Sequence, residues 1–358
     1  MSRQIARVAV VLLVLVLMAG VVGAQAAPTS TPPTPSSQQN PSPTAPAPKL
    51  LSVVTIATST GGTSTHTIAT ALSKVANENT PITVKVKAYT GPTAYAQLVE
   101  QGEENLGLMN VVDAWMAYRG IDTYKEALPN LRLVAGGVHP FLVGIFVRKS
   151  SSIKDIKDLR GKRFPVGYGG QAAMQRQTLA TVEAAGLTMN DVVSIPVASY
   201  AEAVRAFMDG RVDVVLSSVG SGSEKEADAA VGVRYINYAA GPNAQKTLDK
   251  YIPGFVAIKC PKGKSLAAAE GTIVWGYPQH LVGSTKLDDY TVQTLLKAWW
   301  DKVDQLRLIH LIMEGWTRET MAINLFNLPY HSGSIKFFKD KGVWTEELEA
   351  KQQTLLRK

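Results

Sequence analysis

The residues best suited to hold a small ligand lie in short loops that follow predicted strands. The first such loop, 60–65, reads Thr-Gly-Gly-Thr-Ser-Thr and comes directly after a strand predicted over 52–57. Paired glycines let the backbone approach a ligand closely, and the helix that follows favours negative charge at its N-terminus. A carboxylate or a phosphate would fit this loop. The alternative is a plain helix cap, because serine and threonine are good N-cap residues.

The same arrangement recurs after other predicted strands, at 90–93 and 110–113 in the first part of the chain and at 167–171 and 216–218 further on. In an open parallel sheet, helix N-termini point free N–H groups into a crevice at the carboxyl ends of the strands. Two sets of loops facing one crevice predict a clamshell that closes on its ligand by a hinge motion. The predicted ligand-binding residues are Gly61, Gly62, Thr63, Ser64, Thr90, Gly91, Thr93, Asn110, Asp113, Tyr168, Gly169, Gly170, Gln171 and Ser217.

Catalytic and metal-binding patterns are weaker in this sequence. The five histidines are far apart and show no spacing typical of a metal site. The segment 220–223 reads Gly-Ser-Gly-Ser, but Glu224 stands where the serine-hydrolase motif requires glycine. There is neither a Walker loop nor an intact Gly-x-Gly-x-x-Gly after a strand. We therefore expect no enzymatic activity, no catalytic residue, no metal site and no cofactor.

The elements that must position these loops alternate between short β-branched runs and amphipathic stretches, a pattern typical of βαβ units in the α/β class. In the first part of the chain, the pattern predicts strands over 82–89, 106–109, 131–134 and 142–148 and helices over 65–79, 93–103 and 111–119. Further on, it predicts strands over 163–166, 192–197, 212–217, 233–238, 255–259 and 272–276 and helices over 153–159, 171–185, 200–208 and 288–305.

The N-terminus carries the features of an export signal. Arg3 and Arg7 flank a basic start, an apolar run follows over 8–22, and Ala24-Gln25-Ala26 supplies a cleavage pattern. We expect residues 1–26 to be a signal peptide for a periplasmic protein. The apolar run is shorter than the roughly 20 residues that span a bilayer, which makes a retained anchor the less favoured alternative. No cysteine follows it to carry a lipid.

Residues 27–49 are rich in proline, serine and threonine, a composition that favours an extended, disordered tether. The remaining 300 or so residues exceed what one hydrophobic core usually organises, so we expect two lobes. We predict that 50–145 and 251–358 form the first lobe, with C-terminal helices, and that 146–250 form the second. Cys260 is the only cysteine, which excludes an intramolecular disulfide.

The chain is basic, with a formal net charge of +8. Five of its cations cluster over 153–163, where they suit either a solvated helix surface or the steering of anions and docking to a partner. Together with the helix N-termini, this charge favours an anionic ligand over a neutral analogue. Asp113 keeps an amino acid ligand open, because a carboxylate facing the cleft would repel an anion but suits an ammonium group.

In order and spacing, these segments resemble the TAXI branch of the TRAP transporter solute receptors. Four segments carry the resemblance. They are the opening strand and Gly-Gly-Thr loop at 55–63, the Tyr-Thr-Gly at 89–91, the segment 147–162 that leads into the second lobe, and the closing segment 328–338. It implies a two-lobed periplasmic binding protein with a type II-like clamshell and a hinge. It also implies a monomer that captures an organic acid or amino acid and delivers it to the membrane subunits of a TRAP-type secondary transporter.

The resemblance is incomplete at the loops that would touch the ligand. Ser64 and Thr65 stand where the family usually has tyrosine, and Pro92 replaces a flexible glycine of its Thr-Gly-Gly-Ser loop. The site is therefore carried over from the family, but the substrate is not. Two alternatives are an ABC-type receptor for a related anion and a periplasmic ligand sensor.

Overall fold

The computed structural model describes residues 50–357, and the predicted signal peptide (1–26) and tether (27–49) lie outside that range. Strands and helices alternate along most of the described chain, which confirms the predicted α/β class. Within this range, no helix combines the length and apolar character needed to cross a membrane.

Ten strands form the scaffold of the described chain. They are β1 (Val53–Ser59), β2 (Thr83–Tyr89), β3 (Leu106–Asn110), β4 (Leu131–Arg148), β5 (Arg163–Gly167), β6 (Val193–Val197), β7 (Val214–Ser218), β8 (Val233–Ile236), β9 (Val256–Lys259) and β10 (Ile273–Ser284).

Twelve α-helices connect and cover these strands over the same residues. They are α1 (Ser64–Asn79), α2 (Pro92–Gln101), α3 (Val111–Arg119), α4 (Ala172–Ala184), α5 (Tyr200–Met208), α6 (Gly222–Val231), α7 (Pro242–Tyr251), α8 (Asp289–Asp301), α9 (Val303–Ile309), α10 (Arg318–Met321), α11 (Ser332–Asp340) and α12 (Glu346–Leu356).

The main sheet runs in the order β2-β1-β3-β10-β4-β7, with β8 also paired to β4 and β9 to β10. Strand β1 pairs in parallel with β2 and β3, whereas β10 runs antiparallel to β3, β4 and β9. A separate parallel pair is formed by β5 and β6. Parallel strands followed by helices place the loops after β1, β2 and β3 at one edge, as the sequence pattern predicts.

Two long strands, β4 and β10, run through both parts of the molecule. Residues 131–135 of β4 pair with 281–284 of β10, while residues 143–148 of β4 pair with β7 and β8. We call the elements β1–β3, α1–α3 and α8–α12 lobe 1, and the elements β5–β9 and α4–α7 lobe 2. The two strands that join them form the crossing. The predicted lobe limits after residues 145 and 250 remain a prediction.

The sequence prediction was wrong about the length of both crossing strands. It divided β4 into two strands around Gly136-Gly137 and His139-Pro140, and it ended β10 at Gly276, before Pro278. Glycine and proline usually interrupt strands. Here the two strands hold each other extended across irregularities in their register between Tyr277 and Val282. This pairing is a tertiary contact, so local composition does not report it.

Two further differences concern helices. Helices α6 and α7 were not predicted, because their sequences are polar overall and each buries only three residues. The helix predicted over 288–305 is broken, since Lys302 leaves helical geometry between α8 and α9. The apolar side chains of Leu295, Leu296 and Trp299 on α8 are buried.

The C-terminal helices pack on lobe 1. The Trp299 indole N–H donates to the carbonyl of Leu72 in α1 at 3.0 Å. Further along, His331 accepts from the Gly333 N–H through Nδ1 and bonds the Leu287 carbonyl through Nε2, which fixes the start of α11. These contacts join the C-terminal helices to the lobe that carries the loops after β1, β2 and β3.

Candidate functional site

A cavity lies between the lobes at the carboxyl ends of the lobe 1 strands. Its volume is about 70 Å³, room for roughly five waters if each needs about 10–15 Å³. It is lined by Ser59, Thr63, Ser64, Thr65, Pro92, Asn110, Asp113, Phe141, Val143, Gln171, Met174, Gln177, Tyr200, Leu216, Ser218, Tyr277 and Gln279. We call this space the cleft cavity.

Five of the predicted ligand-binding residues line this cavity, and they come from two separate loops of lobe 1 and one of lobe 2. They are Thr63, Ser64, Asn110, Asp113 and Gln171. Thr63 caps α1 and Asn110 caps α3 through their side chains, while Gln171 is the cap of α4 without a capping side-chain bond. The structure therefore brings these five predicted residues together at one edge of the sheet, and their role in ligand binding stays a prediction.

A second group of predicted residues holds the lobes together beside the cavity. The Thr93 N–H donates to the Gly170 carbonyl at 3.2 Å, and the Ala172 N–H donates to the Thr93 hydroxyl. On the other side, the Gly62 carbonyl accepts from the Ser223 N–H at 3.1 Å. The structure is thus a closed form, in which loop contacts between the lobes surround the cleft cavity.

The contacts around Gly91 show how closely the loops of the two lobes approach each other. A Cβ atom placed on Gly91 would lie 2.2 Å from Cγ of Gln171 and 2.3 Å from the carbonyl oxygen of Gly170. The residue also has a φ of +154°, a conformation that side-chain-bearing residues rarely adopt. Glycine at this position therefore permits both the turn into α2 and the contact with lobe 2.

The other predicted residues do not line the cavity. Gly61, Thr90 and Gly169 are exposed. Tyr168 is fully buried in a small cluster with Val197 and Ala203. Ser217 is buried behind the wall, where its hydroxyl bonds the hydroxyl of Tyr200 at 2.7 Å.

Among the described residues that line the cavity, Asp113 is the only acidic one, and it makes a contact between the lobes. Its Oδ1 accepts from the Ala173 N–H of α4 at 3.1 Å, and its Oδ2 accepts from the Asn110 side-chain amide at 2.6 Å. Burial raises the pKa of this carboxyl to about 7, although both hydrogen bonds oppose the shift. Near neutral pH, part of the population therefore carries a protonated, uncharged Asp113.

The remaining polarity of the cavity comes from hydroxyls, amides and helix N-termini. Among the lining residues, all within the described range, there is no lysine, arginine or histidine. Tyr200 and Tyr277 stay protonated, because burial raises the pKa of each phenol. The N–H groups of Ser64 and Thr65 have no acceptor among residues 50–357, as is usual in the first turn of a helix. They are the groups best placed to donate hydrogen bonds to an oxygen of the ligand.

Sequence reasoning missed several lining residues for identifiable reasons. Ser218 belongs to the predicted loop 216–218, from which only Ser217 was chosen, and Tyr200 begins α5 shortly after β6 ends. Phe141, Tyr277 and Gln279 lie on the crossing strands, with Gln279 opposite Asn110 in the pairing of β10 with β3. No local signal reports them, because the pairing of distant strands brings them to the cavity.

The described residues contain no group of three or more histidine, cysteine or acidic side chains placed to hold a metal ion. Asp113 is likewise the one carboxylate of the cleft cavity. The hydroxyl and amide side chains of the cavity are suited to hydrogen bonding.

Comparison with known proteins gives a family and a fold. A family model described as the NMT1-like family matches residues 56–342, most of the chain. The match identifies the NMT1-like family and does not single out the TAXI branch.

Two solved structures reach a TM-score of 0.51. One, described as a periplasmic transporter, is 16% identical and covers 84% of this chain and 95% of its own. The other, the periplasmic binding protein BugD, is 15% identical and covers 74% of this chain and 87% of its own. The aliphatic sulphonate binding protein SsuA from Escherichia coli is 16% identical over 86% of both chains, with a TM-score of 0.46. The first two confirm the predicted two-lobed binding-protein fold.

Proposed function

The chain belongs to the NMT1-like family, and from this premise we propose that it is a periplasmic solute-binding protein that captures a small ligand in the cleft cavity. The observation that carries the proposal is the cleft itself. Loops from both lobes meet around it through hydrogen bonds such as Thr93 N–H to Gly170 carbonyl. A space enclosed by two lobes on two connecting strands is the arrangement of a protein that binds by closing. The likeness to periplasmic proteins supports the location.

The ligand that fits this cavity best is a small carboxylate, amino acids included. The free N–H groups of Ser64 and Thr65 lie at the N-terminus of α1, which favours a negative group. The serine and threonine hydroxyls around them supply further donors. Asp113 opposes an anion only when it is ionised, and burial raises its pKa to about 7. When it is ionised, it suits an ammonium group, so an amino acid satisfies both features.

Ligand screening tests the proposal. Purified protein would be screened by thermal shift against carboxylates, sulfonates and amino acids, and each hit would be titrated beside its amide by calorimetry. We expect the acid to bind at least tenfold more tightly than the amide, about 1.4 kcal/mol. Equal affinities would show that the cavity selects shape and hydrogen bonds rather than charge.

A cavity-filling variant locates the binding. Ser218→Leu places a larger side chain in the cavity wall and should remove binding of every hit. Ser194→Leu is the matched control, because Ser194 is exposed on β6 away from the cavity. Retained affinity in Ser218→Leu would place the ligand elsewhere. Turnover of any ligand by the wild-type protein would refute the binding function in favour of catalysis.

The captured ligand would be delivered to a membrane transporter. The resemblance of the loops at 55–63 and 89–91 supports a TRAP-type, ion-driven transporter, with an ABC importer or a ligand sensor as alternatives. The neighbouring genes distinguish these cases. A large multi-span permease beside the gene supports the TRAP assignment, whereas an ATPase subunit in its place would overturn it.

A further inference from the structure

A second cavity lies on the opposite face of the crossing from the cleft cavity. Phe141 and Val143 of β4 line the cleft cavity, whereas Pro140 and Leu142 of the same strand line the second one. Successive side chains of a strand point to opposite faces, so the two cavities lie back to back across β4. The second cavity, which we call the rear cavity, has a volume of about 300 Å³.

The walls of the rear cavity come from both lobes. Val219 and Gly220 follow β7, and Pro261 and Lys264 belong to the loop after β9. The remaining wall is the segment 307–315, which spans the end of α9 and the short 3-10 helix after it. The ion pair of Lys264 with Glu314 joins the two sides. A ligand there would therefore contact lobe 1 and lobe 2 together.

Its chemistry differs from that of the cleft cavity. Apolar surface is supplied by Pro140, Leu142, Val219, Pro261, Leu311 and Ile312. A mostly apolar lining with a few polar groups, at about 300 Å³, is typical of sites for small organic molecules. The cleft cavity is smaller, and most of its lining residues carry a hydroxyl or an amide. The rear cavity thus fits a ligand with an apolar body.

The charged groups of the rear cavity leave one positive charge without a partner. Lys264 is paired with Glu314, whereas Arg307 has no ion pair among residues 50–357. His310 accepts the Ile312 N–H through Nδ1 at 3.1 Å, which leaves Nε2 to carry the ring proton as a donor. Burial lowers the pKa of His310 and of His139, so both rings are neutral near pH 7. The balance favours a ligand with a single negative charge.

From this geometry we infer that the rear cavity is a second ligand site, which takes a small amphipathic organic anion with its apolar body against Leu142 and Ile312 and its charged group at Arg307. The site is distinct from the cleft cavity and does not depend on the function proposed for it. Because residues of both lobes wall the cavity, binding there would also favour the lobe arrangement that holds these walls together.

Calorimetry with octanoate and with uncharged 1-octanol tests the inference. Octanoate should bind the wild-type protein more tightly than 1-octanol. Arg307→Glu should weaken octanoate binding by about tenfold or more while leaving 1-octanol unchanged within about twofold. Lys246→Glu makes the same charge change at an exposed residue of α7 outside the cavity and serves as the control. Leu311→Trp, which enlarges an exposed side chain of the lining, should remove the binding of both probes.

Two results would overturn the inference. One is octanoate binding that falls equally in Arg307→Glu and Lys246→Glu, which would indicate a general charge effect. The other is octanoate binding that is lost in the cleft variant Ser218→Leu but retained in Leu311→Trp, which would place the probe in the cleft cavity. Loss of binding in Leu311→Trp supports the inference only if the melting temperature is unchanged, which shows that the variant is folded. Arg307→Glu changes an exposed residue and therefore tests the site independently of folding. Failure here would leave the cleft ligands unaffected.

Discussion

The buried carboxyl of Asp113 makes stability depend on pH in a direction opposite to that of most acidic residues. Burial raises its pKa from 3.8 to about 7, so the folded, closed protein takes up a proton that the unfolded chain has already lost. Between these two pKa values, the unfolded state binds fewer protons than the folded state. The contribution of Asp113 to stability therefore falls as the pH rises through this window and is constant above it.

The magnitude follows from the two pKa values. Between pH 5 and pH 8, the linkage relation gives a loss of about 2.5 kcal/mol from Asp113 alone. Opening of the cleft would hydrate the carboxylate, so this figure is an upper bound. If the free energy of unfolding falls by about 3 kcal/mol per M urea, this loss lowers the urea midpoint of unfolding by about 0.8 M. Asp113→Asn removes the titration and should remove this part of the pH dependence.

The assay is urea unfolding of wild type and Asp113→Asn at pH 5 and pH 8. Buried histidines such as His280, whose pKa burial lowers to about 4, also titrate between their folded and unfolded values. They contribute equally to both proteins, so the difference between the two pH profiles isolates Asp113. Asp340→Asn is the matched control, because Asp340 is exposed at the end of α11. Parallel profiles for wild type and Asp113→Asn would refute the reasoning.

Three further predictions follow from contacts in the closed form. Gly91→Ala would place a Cβ 2.2 Å from Gln171, so small-angle scattering should give a larger radius of gyration than wild type. Gly169→Ala, with nothing within 4 Å of its Cβ, should not change it, and equal radii for both variants would contradict the closure argument. Phe146→Ala removes a fully buried ring packed edge-on against Phe207, and urea unfolding should show a loss of about 3–5 kcal/mol. A loss below about 1 kcal/mol would mean that the site collapses around the gap. His331→Ala removes the cap of α11 and should cost about 2 kcal/mol, with His331→Asn losing less because asparagine also caps helices. Equal losses in these two variants would show that the bond to Leu287 matters more than the cap.

The sequence alone determined the features that depend on local pattern. Alternating β-branched runs and amphipathic stretches identified the α/β class, and α5 was predicted with its observed limits, Tyr200–Met208. The cap residues Thr63 and Asn110 could be found because a strand followed by a polar residue and a helix is a local signal. A parallel sheet places such loops at one edge, which is why part of the candidate site was predictable.

Only the tertiary structure decided which of these loops reach the cavity. Tyr168 and Gln171 belong to the same predicted loop, yet Tyr168 is buried in an apolar cluster and Gln171 lines the cavity. Phe141 and Tyr277 are brought there by the pairing of β4 with β10, two strands distant in sequence. The raised pKa of Asp113 likewise results from burial between the lobes. Long-range strand pairing and desolvation depend on residues that are distant in sequence, so a local pattern cannot predict them.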